Sequence, residues 1–251
     1  MPSYFITGTS RGIGLAIVTE LLKDPQNFVI ASARNPGGSK GLSELASQYH
    51  SDRLTLVTLD TSVPGQITAA AAEAQKLLPS GLDYLINNAG VSYQNSATST
   101  FDELDIELFE KELLFNTVPI IHILRAFKPL VLKSAEKKVL FVTSELGSIE
   151  IADARPNLAN AYGVGKAALN MLARKWGAVT KDEGIISILI HPGWVDTELG
   201  NNIDAWIQER VPGLKPISTQ ESAKGVIKVI QEAKKQDAVP FVNYDGSVIP
   251  W

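Results

Sequence analysis

Short apolar, β-branched runs alternate with amphipathic stretches along most of the 251-residue chain. "SYFITG" (3–8) reads as a strand and "GIGLAIVTELLK" (12–23) as a helix. The same pair repeats as "FVIASAR" (28–34) with "LSELASQYH" (42–50), and as "LTLVTLD" (54–60) with "PGQITAAAAEAQKLL" (64–78). In the third helix Pro64 suits the first turn and Ser62 is the expected cap. "LDYLINNAG" (82–90) ends a fourth strand, and a helical stretch over 103–133 follows, with a break expected near Asn116 and Pro119 because an interior proline removes a backbone bond. "KKVLFVTS" (137–144) and "IISILIHPG" (185–193) are the fifth and sixth strands, with a helix over 159–181 between them. A helix over 219–235 and a short strand "VPFVNY" (239–244) close the pattern.

Continuous apolar strands interleaved with amphipathic helices imply an α/β fold, a doubly wound sheet of about seven mostly parallel strands with helices on both faces. The chain contains no repeat, low-complexity tract or Pro/Gly-rich linker, so residues 1–251 are expected to form one domain. Irregular stretches fall at 34–41, 91–100, 145–158 and 196–218, where function concentrates.

Composition narrows the classes. At 45% hydrophobic residues the chain supplies a sizeable core. A formal net charge of −4 without a basic block argues against a nucleic-acid partner. The absence of cysteine excludes disulfides, thiolate nucleophiles and Cys-ligated metals. His50, His122 and His191 lack metal-ligand spacing, so no metal is expected. No apolar run approaches the ~18 residues of a membrane span, and the chain enters a strand at once. The expectation is a cytoplasmic protein with no membrane partner.

The carboxyl ends of the strands, where ligands bind in open α/β sheets, read "TGTSRGIG", "SARNP", "LDTS", "NNAGVS", "VTSELGS" and "HPGWVDT". In the first, Gly8 suits the tight turn, Gly12 admits a phosphate against the backbone and Gly14 permits close helix packing. The helix that follows offers free N–H groups to a diphosphate. In "NAYGVGKAAL" (160–169), Tyr162 and Lys166 sit four apart on one helix face. Between and beside them Gly163 and Gly165 each cost about 1 kcal/mol relative to alanine.

Through "TGTSRGIG", Asp60, "NNAG", Asn116, Ser144, "YGVGK" and "HPGWVDT", in that order, the chain resembles the short-chain dehydrogenase/reductase family over essentially its whole length. The long Ser144–Tyr162 segment, "PGWVDT" and the ending "FVNYDGSVIPW" resemble its carbonyl-reductase-like branch of ketoreductases. The resemblance implies a catalytic set of Asn116, Ser144, Tyr162 and Lys166. Tyr162 is the general acid, and Lys166 is expected to lower its value from about 10. The family assigns Lys166 also to the nicotinamide ribose hydroxyls and Asn116 to a relay water, against a plain helix-breaking role. Ser144 bonds the substrate oxygen as charge develops. Gly163 and Gly165 let ribose and substrate lie against the backbone, or let a second subunit pack there. A homodimer or homotetramer is implied by resemblance alone.

Charge predicts the cofactor. Ala33 stands where an acid would bind a ribose 2′-hydroxyl, and Arg34 and Arg11 lie nearby, which favours NADP(H). Its remaining contacts are expected from Gly8, Ser10, Gly12, Ile13, Gly14, Asp60 (toward adenine), Thr61, Ala89 and Gly90, and from Pro192, Gly193, Val195 and Thr197 around the nicotinamide. Asn87, together with Ala89 and Gly90, either lines the adenine-ribose side or stabilises the central strands. Tyr93, Glu145, Leu146, Trp194 and Leu199 are the expected substrate contacts, with Ile151 and Trp206 in the same loops. Glu145 stands where the branch carries a small residue, and either binds a substrate hydroxyl or amine or pairs with Arg155. The function expected is NADPH-dependent reduction of a ketone or aldehyde on a small, bulky aromatic or polycyclic molecule. A non-redox cyclase or isomerase in the same pocket, and an idle NADP(H)-binding sensor, are the rival readings.

Overall fold

The computed structural model describes residues 1–93, 98–236 and 238–251, so residues 94–97 of the expected 91–100 loop lie outside the described part. Seven strands, β1 (Ser3–Thr7), β2 (Phe28–Ala33), β3 (Leu54–Thr58), β4 (Tyr84–Asn87), β5 (Lys138–Val142), β6 (Ile186–His191) and β7 (Phe241–Asn243), form one sheet in the order β3-β2-β1-β4-β5-β6-β7. Every neighbouring pair is parallel. The register runs through the middle as Ala31, Ile6, Ile86, Leu140 and Ile188 side by side.

Alternation along each strand fills two cores. Tyr4, Ile6, Ile86, Leu140 and Ile188 face α1 (Gly12–Leu22), α2 (Lys40–Gln48) and α7 (Thr219–Glu232). Phe5, Leu85, Phe141 and Leu189 face α3 (Pro64–Leu77), α4 (Ile106–Lys133) and α5 (Asn160–Thr180). Both sheet faces are apolar, which is why the strands read as continuous hydrophobic runs. The chain passes from β3 at one edge back to β4 beside β1, and strand order reverses there. A crevice opens at the carboxyl ends of β1 and β4 for that reason.

Three local expectations are corrected. Val63, not Ser62, is the residue before α3, and Ser62 instead donates its hydroxyl to the Asp60 carboxylate at 2.6 Å. α4 runs unbroken through Asn116, Pro119 and Pro129. Burial of Ile120, Ile123, Leu124 and Phe127 along one side outweighs the ~3 kcal/mol of an interior proline. α4 is also long and apolar enough by length and composition to cross a membrane, yet that apolar side is spent on the sheet. Finally, the expected 196–218 loop contains a helix, α6 (Asp204–Arg210).

Candidate active site

A cavity of about 880 Å³ opens at the carboxyl ends of the strands. At one end the chain turns sharply from β1 into α1. Gly8 holds φ +72, a left-handed conformation natural to glycine, and a Cβ there would sit 2.8 Å from the Ala89 Cα. A side chain at Gly14 would collide with the Gly8 carbonyl and the Asn88 amide. Arg11 precedes α1 without a side-chain cap, which leaves the first-turn N–H groups facing the cavity mouth. Asn88 ties the turn to β4: its amide donates to the carbonyls of Thr7 and Gly8, both at 2.9 Å.

Gly8, Ser10, Arg11, Gly12, Ile13, Gly14, Arg34, Asp60, Thr61, Ala89 and Gly90 all line this end. Arg34 is exposed beside Asp60. The Asp60 carboxyl is held below its ordinary value, chiefly by the Ser62 hydroxyl, with the Arg34 charge contributing. Arg11 pairs across the mouth with Glu198 at 2.5 Å, both side chains well exposed. Asn87 lies on the opposite side of its strand from Asn88. Its buried amide donates to the Leu140 carbonyl at 3.3 Å, outside the cavity wall. Of its two expected places, the strand interior is the one it occupies, and Asn88 takes the position at the cavity.

Deeper in, Ser144, Tyr162 and Lys166 meet on one wall. Ser144 lies two residues beyond β5, and its hydroxyl accepts from the Leu146 amide at 3.2 Å. Tyr162 and Lys166 both lie on the buried face of α5, the Lys166 Nζ 5.4 Å from the Tyr162 ring centre. Nζ donates to the Val142 carbonyl at 3.0 Å. The protonation states depart from expectation. Burial pushes the Tyr162 hydroxyl well above the ordinary phenol value, and the charge of Glu112 adds to this. Burial likewise pushes Lys166 down to about 8, against the pull of Glu112. Desolvation is the largest cause of both shifts.

The glycines beside Tyr162 also have packing partners inside the domain. A Cβ on Gly163 would stand 2.9 Å from the Leu146 carbonyl oxygen, so its absence lets the Ser144–Leu146 turn close onto α5. A Cβ on Gly165 would lie 3.7–3.9 Å from Asn116 and Leu113 of α4. Asn116, buried in mid-helix, clamps the Val91 backbone in both directions: its amide donates to the Val91 carbonyl at 2.9 Å and its oxygen accepts from the Val91 N–H at 3.1 Å. It stands behind the cavity wall, close to Gly90, where an added Cβ would lie 3.2 Å from the Asn116 oxygen and 3.4 Å from Lys166 Nζ.

Pro192, Gly193, Val195 and Thr197 edge the cavity after β6, together with Trp194 and Leu199. The Trp194 indole donates to the Gly200 carbonyl at 3.0 Å. Leu146 and Trp206 pack with Leu158, Ala159 and Ile203 around Tyr162. Tyr93 and Ile151 do not line the cavity; the Tyr93 N–H donates to the buried Glu112 carboxylate at 3.0 Å. Glu145 pairs with Arg155 through both oxygens, at 2.7 and 3.1 Å. Burial raises its carboxyl, but the hydrogen bond and charge of Arg155 hold it below the ordinary value. Among the described residues no cluster suited to a metal occurs.

Sequence reasoning passed over Leu158, Ile203, Ile207 and Val211 of the cavity wall. The spacing of Ile203, Trp206, Ile207 and Val211 is helical and signals α6.

Residues 3–208 match the short chain dehydrogenase family. An uncharacterized oxidoreductase of Schizosaccharomyces pombe is 33% identical over 99% of this chain and 97% of its own length. The norsolorinic acid ketoreductase of Dothistroma septosporum is 31% identical over 99% of this chain and 92% of its own. The NADPH-bound carbonyl reductase from chicken fatty liver superposes with a TM-score of 0.87 at 30% identity, covering 100% of this chain and 94% of that one. The chain belongs to the short-chain dehydrogenase family.

Proposed function

We propose that this oxidoreductase reduces a ketone or aldehyde carbonyl with NADPH, Tyr162 delivering the proton. The observation that carries the reading is convergence: the hydroxyls of Ser144 and Tyr162 and the Lys166 ammonium share one cavity with a glycine turn and two arginines. NADP(H) fits the other end of that cavity. The uncapped α1 terminus and the close Gly8–Gly14 turn suit a diphosphate. Arg11 and Arg34, with Ala33 in place of an acid, suit a 2′-phosphate. Bound there, the cofactor supplies the hydride.

The chain's own groups do the rest. The Ser144 hydroxyl donates to the carbonyl oxygen and stabilises the negative charge that develops on it. Tyr162, raised by burial, keeps its proton until that oxygen becomes alkoxide-like, and then gives it up. Lys166 is largely charged at pH 7 with a value of about 8, and its charge steadies the tyrosinate as it forms. Asn116 fixes the 90–91 backbone behind this group. Leu146, Leu158, Ile203 and Trp206 give the substrate end an apolar, partly aromatic wall, suited to a bulky aromatic or polycyclic ketone. Exposed Leu114, Val118 and Ile121 on α4 and Val164 and Met171 on α5 support assembly with a second copy through these helices.

NADPH consumption against a graded ketone panel tests the reading, with Tyr162→Phe as the control. The expected result is oxidation of NADPH by large aryl ketones and a loss of about 10²–10⁴-fold in the variant. Turnover that survives Tyr162→Phe removes Tyr162 from the mechanism.

A further inference from the structure

The cavity wall is apolar around Tyr162 but changes character one residue beyond Ser144. Glu145 and Arg155 both line the cavity, with side chains 34% and 29% exposed. One Arg155 N–H donates to Glu145 Oε2 at 3.1 Å, and the other terminal nitrogen forms an ion pair with Oε1 at 2.7 Å. Each carboxylate oxygen keeps a further lone pair, and a guanidinium has five N–H donors, of which this pair leaves at least three. His191, at the end of β6, stands 3.8 Å from Glu145, beyond hydrogen-bond distance. Burial pushes it down to about 4, so it is neutral at pH 7 and adds no charge to the patch.

This patch has opposite charges side by side and is neutral overall. A substrate ammonium would meet Arg155, and a substrate carboxylate would meet Glu145. A hydroxyl suits both: its O–H donates to Glu145 while its oxygen accepts from Arg155. A ligand that covers the pair with hydrocarbon strips water from two charges and returns nothing, so the patch selects against unsubstituted analogues as well as for the hydroxyl.

We infer that Glu145 and Arg155 recognise a hydroxyl on the substrate, carried a few bonds from the carbonyl that Ser144 holds. Glu145 directly follows Ser144 in the chain and both line the one cavity, so a single ligand can reach both. An ortho hydroxyl is spent on an internal bond to its own carbonyl, so the group recognised is one ring position further on. The substrate class is then a hydroxylated aryl ketone. This rests on the reductase reading for the chemistry, but the recognition is read by binding alone.

The test uses 1-tetralone, 7-hydroxy-1-tetralone and 7-methoxy-1-tetralone, titrated calorimetrically into the full chain with and without NADP⁺, and then assayed for NADPH oxidation. One charge-assisted hydrogen bond corresponds to roughly a ten- to hundredfold preference, so the hydroxy compound should bind that much more tightly than its methyl ether. The preference should collapse toward unity in Glu145→Ala. It should fall part of the way in Glu145→Gln, which keeps an acceptor oxygen without charge. Equal binding of the three by the unmutated protein overturns the inference without recourse to any variant, as does binding of none. A preference that survives Glu145→Ala overturns it too. Selective binding of the hydroxy compound with no NADPH oxidation leaves the recognition standing and refutes the reductase reading.

Discussion

Replacing Lys166 with methionine should make the protein more stable at neutral pH while disabling it. Lys166 is 3% exposed, and its value falls from 10.5 to about 8. At 1.36 kcal/mol per pH unit, a charged Lys166 destabilises the folded state by about 3 kcal/mol relative to its neutral form. That penalty is complete below pH 8, where folded and unfolded chains both hold the proton. It fades between pH 8 and 10.5, because the folded state releases its proton first, and stability rises with pH across that window. Methionine keeps the length and apolar stem but abandons the bond to the Val142 carbonyl, and an unsatisfied carbonyl costs about 1–3 kcal/mol. The net gain at pH 7 is therefore about 1 kcal/mol, or a few degrees in Tm for a domain of this size. Urea unfolding of ligand-free wild type and Lys166→Met at pH 7 and pH 10.5 measures it. The difference between the two proteins should move by about 3 kcal/mol between those pH values, in favour of wild type at the higher one. A variant less stable at pH 7, or a difference that does not change with pH, refutes the burial argument.

Arg34→Ala should weaken NADPH binding roughly tenfold to a hundredfold and leave NADH binding nearly unchanged; fluorescence titration with both nucleotides reads this, and equal wild-type affinities would sink the charge argument. Gly163→Ala should lower kcat/KM by at least about tenfold and lower Tm, because its Cβ lies 2.9 Å from the Leu146 carbonyl and must displace the turn that carries Ser144. Gly165→Ala, with neighbours at ordinary contact distances, should be tolerated and gain up to about 1 kcal/mol in helix propensity; equal damage from both substitutions would disprove the assignment. Tyr162→Phe should bind NADPH normally in the same titration, since only the hydroxyl is lost.

The sheet was legible because its central strands are buried on both faces, and β-branched runs between glycine turns have few other uses. The layout of the site followed from it, since a parallel sheet sends every strand's carboxyl end to one edge. What stayed hidden was orientation. Asn87 and Asn88 are identical in type and adjacent, so only the parity of β4 decides which one reaches the cavity. That parity was readable in principle. Leu85 and Asn87 share a face toward α3, α4 and α5, and the following residue turns the other way. α6 was missed because the glycines, prolines and polar residues around it advertise a loop, although Ile203, Trp206, Ile207 and Val211 keep a helical spacing.

The raised value of Tyr162 has a different origin. Four-residue spacing correctly places Lys166 beside Tyr162, and a cation in water lowers a neighbouring phenol. Spacing carries no information about how much water remains, and here both groups are buried. Nor did it reveal the opposing charge. Glu112 is fully buried on α4 and acts on both groups. It sits four residues before Asn116 and eight before Ile120, so the apolar side of α4, extended backwards, runs directly into a carboxylate. An acid on the buried stripe of a helix is the signal that was available. The Glu112 charge works against burial at Lys166 and favours the charged ammonium. The protonated form of Tyr162 and the charged form of Lys166 are thereby both favoured, which is the starting state that the proposed carbonyl reduction requires.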